Sequence, residues 1–136
     1  MNAKEYLHQL SWMDKRIDAL LERKERYKDY ACRATGARNA ARLSGTDHRS
    51  QVDDYVCKLV DLESDISRLI DEFVDKTREA ERIISLLPDY RHRDILTWRY
   101  LNGWSWDKIF ETMDYAPTRV FELHGYALRE FQKRAE

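Results

Sequence analysis

The chain has 136 residues, 43% hydrophobic and 36% charged, with 4 glycines, 2 prolines and a formal net charge of −1. That length suits one ordinary domain or two small helical units and excludes a large multidomain enzyme. So few turn residues exclude the many-turned all-β folds, and the near-neutral balance excludes a global positive field that would draw the chain to nucleic acid or a membrane surface. Apolar and charged residues are interspersed throughout, as in long amphipathic helices. No stretch approaches the ~18 apolar residues of a membrane helix, and the first ten residues lack a signal-peptide apolar core, so a cytoplasmic protein is expected. Cys32 and Cys57 are then expected to be reduced, small and buried.

From the start, Ala3, Tyr6, Leu10, Met13, Ile17, Leu20, Tyr27, Ala31 and Ala34 recur at intervals of three and four, with Lys24 as the polar exception. This heptad seam predicts a continuous helix over 3–34, about 30 residues and roughly 45 Å long. Between 35 and 50 the seam is lost and Gly36, Asn39, Ser44, Gly45, Thr46, Asp47 and Ser50 collect with Arg38, Arg42 and Arg49. This composition predicts a connector, long enough that Arg38–Leu43 is a candidate extension of the first helix. The seam resumes over 51–87 at Val52, Tyr55, Leu59, Leu62, Ile66, Leu69, Phe73, Ala80, Ile83 and Leu87, broken at Lys76. Val56, Ile70, Val74 and Ile84 widen it, which predicts contact with more than one neighbour. The two helices are expected to pair as an antiparallel, coiled-coil-like hairpin over 1–87. Residues 1–34 carry eight basic and six acidic side chains against five and ten in 52–87, a difference that favours pairing.

After Leu87 the pattern shortens into a tri-helical unit over 88–136. Pro88 is expected to open a helix holding Ile95, Leu96, Trp98 and Leu101, which stops at Asn102-Gly103. Ser105 caps a second helix with Asp107 in its first turn and Trp106, Ile109, Phe110 and Met113 along it. After the turn at Asp114-Tyr115-Ala116, Pro117 opens the last helix, whose buried face reads Val120, Leu123, His124, Ala127, Leu128 and Phe131. Two helices joined by a three-residue turn have the spacing of a helix-turn-helix. His124 is expected to be a hydrogen-bonded core residue, and the tryptophans to pack inward. Gly125, mid-helix, is expected to mark a close backbone approach.

Leu87-Pro88, Ile95, Arg99-Tyr100-Leu101, Gly103, Ser105, Ile109, Met113, Val120, Leu123 and Ala127-Leu128 resemble the region-4 helix-turn-helix of bacterial sigma factors, over about fifty residues. The whole chain, with its Asn2-Ala3-Lys4-Glu5-Tyr6-Leu7 start and its Leu123-His124-Gly125 step, resembles the small phage and prophage proteins of Gram-positive bacteria grouped with ArpU-type late-gene regulators. The resemblance implies a sequence-specific DNA-binding regulator in the bacterial cytoplasm, acting on double-stranded DNA, with RNA polymerase as a further partner. It implies that Pro117, Thr118, Arg119, Phe121 and Glu122 face the major groove, where Arg119 suits guanine, Glu122 a cytosine amino group, and Phe121 or Thr118 a thymine methyl. The helix starts at Ser105 and Pro117 would lie near phosphates, with Lys108, Arg129, Lys133 and Arg134 as positioning cations.

Phe110 stands where such motifs usually place a small alanine, which implies splayed helices or a ring directed elsewhere, toward the hairpin. Asp114 stands where glycine is usual, and aspartate tolerates the left-handed conformation. Residues 88–136 balance eight basic against eight acidic side chains, so any DNA affinity is expected to be weak alone and strengthened by a homodimer formed through the hairpin or by tethering to polymerase. The alternative is a helical adaptor that binds protein and whose helix-turn-helix does not read DNA; a packaging-type DNA binder fits less well, since its helix-turn-helix would precede its oligomerisation helices. His8, His48, His92 and His124 share no ligand spacing with the cysteines, and no nucleophile or phosphate-binding motif occurs, so neither metal, cofactor nor enzymatic activity is expected.

Overall fold

The computed structural model describes residues 2–44 and 49–136, with side chains over 2–36 and 52–136. The expected connector residues Gly45, Thr46, Asp47 and His48 lie outside the described residues, as do the side chains of Arg38, Arg42 and Arg49. The chain is all-α: helices α1 (Ala3–Ser44), α2 (Arg49–Ser85), α3 (Tyr90–Leu96), α4 (Trp106–Met113) and α5 (Pro117–Ala135), with a π-helical turn over Thr97–Leu101, and no strand among the described residues.

The first helix passes the expected end at Ala34 and continues to Ser44, so the connector is helical over its first ten positions, the candidate extension Arg38–Leu43 among them. Loss of a seam removes the burial signal but not the backbone preference. Ala37, Ala40, Ala41, the arginines and Leu43 are good helix formers, and one glycine, Gly36, costs only about 1 kcal/mol. The second helix starts at Arg49 and ends at Ser85.

The chain divides into two compact units, residues 15–71 and residues 1–14 with 72–136, a division that falls within both long helices. In the 15–71 unit, Ile17, Ala34, Val52, Leu62 and Ile66 are buried along the predicted seams. Tyr30 meets Tyr55 at 6.0 Å between ring centroids, and Lys24, the polar seam position, pairs with Glu63 at 3.5 Å. Val56 and Ile70, expected to widen the stripe toward another neighbour, are 47% and 37% exposed. Cys32 and Cys57 are exposed free thiols, a correction to the expected burial. Each sits outside the three-and-four repeat, and a helix paired on one side leaves most positions in solvent.

The other unit holds two clusters of buried side chains. The first joins Ala3, Leu7 and Leu10 of α1 with Ala80, Ile83, Ile84 and Leu87, and with Leu96, Tyr100, Ala127 and Phe131. Here the wide stripe is realised, since neighbouring Ile83 and Ile84 are both 4% exposed. Asn2 caps α1 by accepting from Glu5 N–H at 2.8 Å, and Ala3 N–H donates to Gln132 Oε1 of α5 at 2.6 Å. The two residues after α2 are held by arginines: Arg93 donates to the Leu87 carbonyl at 2.5 Å and Arg134 to that of Leu86 at 3.1 Å, so neither carbonyl is left without a partner. Pro88 lies outside α3, which is capped by Asp89 accepting from Arg91 N–H at 2.9 Å. The second cluster, Ile95, Ile109, Val120 and Leu123, is ringed by Trp98, Trp104, Trp106, Phe110, Met113 and Tyr115.

Candidate nucleic-acid interface

The local structure of 97–135 follows from its punctuation. The turn Thr97–Leu101 stops where Gly103 takes φ +70, and Trp104 N–H returns to the Trp98 carbonyl at 2.9 Å, so the two indoles stack with centroids 5.0 Å apart. Ser105 caps α4 by accepting from Lys108 N–H at 3.2 Å. Asp114 ends α4 in the left-handed region at φ 57 and ψ 41, its N–H bonded to the Phe110 carbonyl. Ala116 then leads into Pro117 at the start of α5. Asp114 thus takes the place of the usual glycine, as expected from its tolerance of that conformation.

The inner face of α5 is fixed by Val120, Leu123, His124, Ala127 and Phe131, all buried. Phases of 3.6 residues then leave Pro117, Thr118, Arg119, Phe121 and Glu122 outward, and all five are exposed. Ser105 and Lys108 are exposed on the first turn of α4, and Arg129 is exposed two turns beyond Glu122. The structure therefore brings together the candidate residues of the α5 start. It also engages most of their charges. Arg119 pairs with Glu122 at 3.7 Å, Lys108 Nζ lies 4.1 Å from the Trp104 ring centroid, and the Arg129 guanidinium 5.2 Å from that of Tyr126. Asp107, Glu111, Asp114 and Glu122 outnumber Lys108 and Arg119 along α4 and the start of α5.

Phe110, for which splayed helices or a ring directed elsewhere, for instance onto the hairpin, are the two expectations, has its ring contacts with Trp106 and Phe121. It stacks on Trp106 with centroids 6.4 Å apart and meets Phe121 edge-on at 5.4 Å. Phe121 also meets Trp106 edge-on at 5.0 Å, so the ring assigned to a thymine methyl is half-committed to an aromatic cluster, though 47% exposed. Trp106 is the hub of that cluster. Behind it lies His124, at 4.9 Å between centroids, and the Arg99 guanidinium is 4.7 Å from its centroid, while Arg99 donates to the Trp104 carbonyl at 2.9 Å. Neither Trp106 nor Arg99 stands out in the sequence as organising the site. The available signal is the i, i+4 pair Trp106 and Phe110 together with an arginine flanked by Trp98 and Tyr100.

His124 is a buried, hydrogen-bonded histidine as expected, with Nε2 2.7 Å from the Tyr100 hydroxyl. Burial pushes its pKa down to about 4, with help from the charges of Lys4 and Arg99, so it is neutral at pH 7. Gly125 does not mark a close approach: beyond its own helix backbone, a methyl placed there meets no heavy atom of the described residues within 4 Å, a correction to the expected packing. Among the described residues no group of three or more His, Cys, Asp or Glu is placed to hold a metal ion, and no helix is long and apolar enough to cross a membrane.

The fold and this site define an all-helical protein in which a short capped helix, a tight turn and a longer helix follow two long helices. A family model described as a protein of unknown function, DUF1492, matches residues 34–132, and the chain belongs to that family. No curated protein and no solved structure matches the chain.

Proposed function

We propose that the protein is a DNA-binding transcription regulator of phage or prophage type, in which α4 and α5 form a helix-turn-helix and α5 enters the major groove. The observation that carries this reading is the start of α5. A three-residue turn with Asp114 left-handed delivers a helix whose inner face is locked by Val120, Leu123 and His124 and whose first two turns expose Thr118, Arg119 and Glu122. Those three residue types can each address a base edge, and a rigid helix positions them reproducibly. The resemblance to sigma-factor region 4 supports RNA polymerase as a partner. An antiparallel hairpin of α1 and α2, supported by the Tyr30–Tyr55 and Lys24–Glu63 contacts, is proposed as the element through which a homodimer forms.

The test is selection from fragmented phage and bacterial DNA across a salt series, with and without RNA polymerase. Enrichment of one defined site, with affinity falling as salt rises, is the expected result. Replacing Arg119 and Glu122 by alanine should abolish the preference among sites while leaving helical content and melting unchanged. A preference that survives the double replacement would sink the assignment of α5 as the reader.

A second reading is favoured by one observation: the exposed Phe121 edge packs on Trp106 and Phe110 in a stretch where carboxylates outnumber cations. An aromatic surface rimmed by acid suits a basic, apolar protein segment, which would make the chain an adaptor. Absence of any enriched DNA site, together with loss of a captured partner on Phe121→Ala, is the outcome that selects it.

A further inference from the structure

Helix α1 carries a second register beside its seam. One residue before seam positions 17, 24, 27 and 34 stand Arg16, Arg23, Arg26 and Arg33, and before positions 20 and 31 stand Ala19 and Tyr30. A one-residue offset is about 100° around a helix, so these six residues share one flank, and all six are exposed. The four guanidiniums span 18 residues, about 25 Å, all within the 15–71 unit.

The charges on this flank are available. Lys24 and Lys28 of the same helix are bound to Glu63 and Glu25, whereas among the described residues none of the four arginines has a carboxylate partner. Arg33 rests 5.9 Å from the Tyr30 ring centroid, a contact that orients it without neutralising it. Ala19, Glu22, Arg23 and Arg26 line a shallow open cleft on the flank, in which Glu22 is the one acid. On α2 of the same unit, Asp54 and Asp65 are held by Lys58 and Arg68 of their own helix.

We propose that the Arg16, Arg23, Arg26 and Arg33 row is a surface for the phosphate backbone of duplex DNA, separate from the α5 reader; the choice of ligand rests on the DNA-binding reading above. Two features favour a polyanion over a helical protein partner. The buried centre of a protein interface is apolar, and this row carries no leucine, isoleucine, valine or methionine, only Ala19 and Tyr30 between its arginines. Its cations are all arginine, whose planar fork matches phosphate oxygens in pairs. A straight row on one helix suits a stiff duplex, which offers a charge about every 1.7 Å of its axis. The row also supplies the cationic surface that the charge-balanced residues 88–136 lack.

The test is fluorescence anisotropy of the full chain with a labelled random-sequence 30-base-pair duplex and a single strand of equal length, between 50 and 200 mM salt. In R16Q/R23Q/R26Q/R33Q, with helical content unchanged by circular dichroism, duplex affinity should fall by about tenfold or more, and the slope of log affinity against log salt should lose about one unit per arginine. The milder R16Q/R23Q should lose about half that slope, which keeps the test valid if the fourfold variant unfolds. Unchanged affinity and slope would overturn the proposal, as would tighter binding of the single strand or no duplex binding by the parent chain. Salt-dependent duplex binding that needs the row but shows no site preference would uphold it while removing the α5 reading. Site preference with a slope indifferent to the row would do the reverse.

Discussion

Gly125 sits in the middle of α5 with no atom of the described residues, beyond its own helix backbone, within 4 Å of where a methyl would lie, and its φ is not in the left-handed region. Its cost is therefore conformational and has no packing return. Gly125→Ala should raise stability by about 0.5–1 kcal/mol, read by urea denaturation, because alanine restricts the unfolded chain and favours the helix. A loss of stability would mean that an unseen partner approaches this face. His124, one residue earlier, responds to pH. Its folded pKa of about 4 lies below the unfolded value near 6.5, so between those values the unfolded chain binds more protons. Stability should be complete above pH 6.5 and fall as pH drops toward 4, by up to roughly 3 kcal/mol from this residue. His124→Gln should remove that increment from a series of melts between pH 4 and 7, and an identical pH profile in the variant would refute the buried neutral histidine.

At the scale of elements, periodicity and punctuation were the legible parts. The seams of α1 and α2 placed Ile17, Ala34, Leu62 and Ile66 correctly inside, and Ser105, Asn102-Gly103, Asp114 and Pro117 marked the ends of the short helices where they fall. Three things were not legible, each for a physical reason. The extension of α1 to Ser44, legible only as a candidate over Arg38–Leu43, rests on backbone propensity without burial, which a hydrophobic pattern does not register. Leu7, fully buried, lies beside the seam because the start of α1 meets α5 as well as α2, a tertiary contact that no local spacing encodes. The cysteines were misplaced because composition predicts the average burial of a residue type, while the heptad phase decides the individual case. For the candidate site, phase alone placed Thr118, Arg119 and Glu122 outward. What it missed was the aromatic cluster about Trp106, which depends on three helical segments meeting and on the direction each ring takes.

Across the whole molecule, burial is unequal between the two units. The eight largest fully buried side chains, Leu7, Leu10, Leu87, Ile95, Leu96, Ile109, Val120 and Phe131, all belong to the unit of residues 1–14 and 72–136. In the 15–71 unit the buried apolar residues retain 5–9% exposure, and the aromatic contacts between its helices lie at a half-open seam. Local opening of a segment costs what its buried contacts supply, so the 15–71 unit should open below the global unfolding limit. Amides of 17–34 and 52–70 are expected to exchange with deuterium about 100-fold faster than those of 83–85, 95–100 and 120–131, a difference of about 2.7 kcal/mol in opening free energy. The same experiment bears on the arginine row: if it holds phosphate, a saturating random-sequence duplex should slow exchange over 17–34, since a ligand bound only by the closed form stabilises it. Equal protection in both units would mean that opening is governed by the whole helices and not by the density of burial along them.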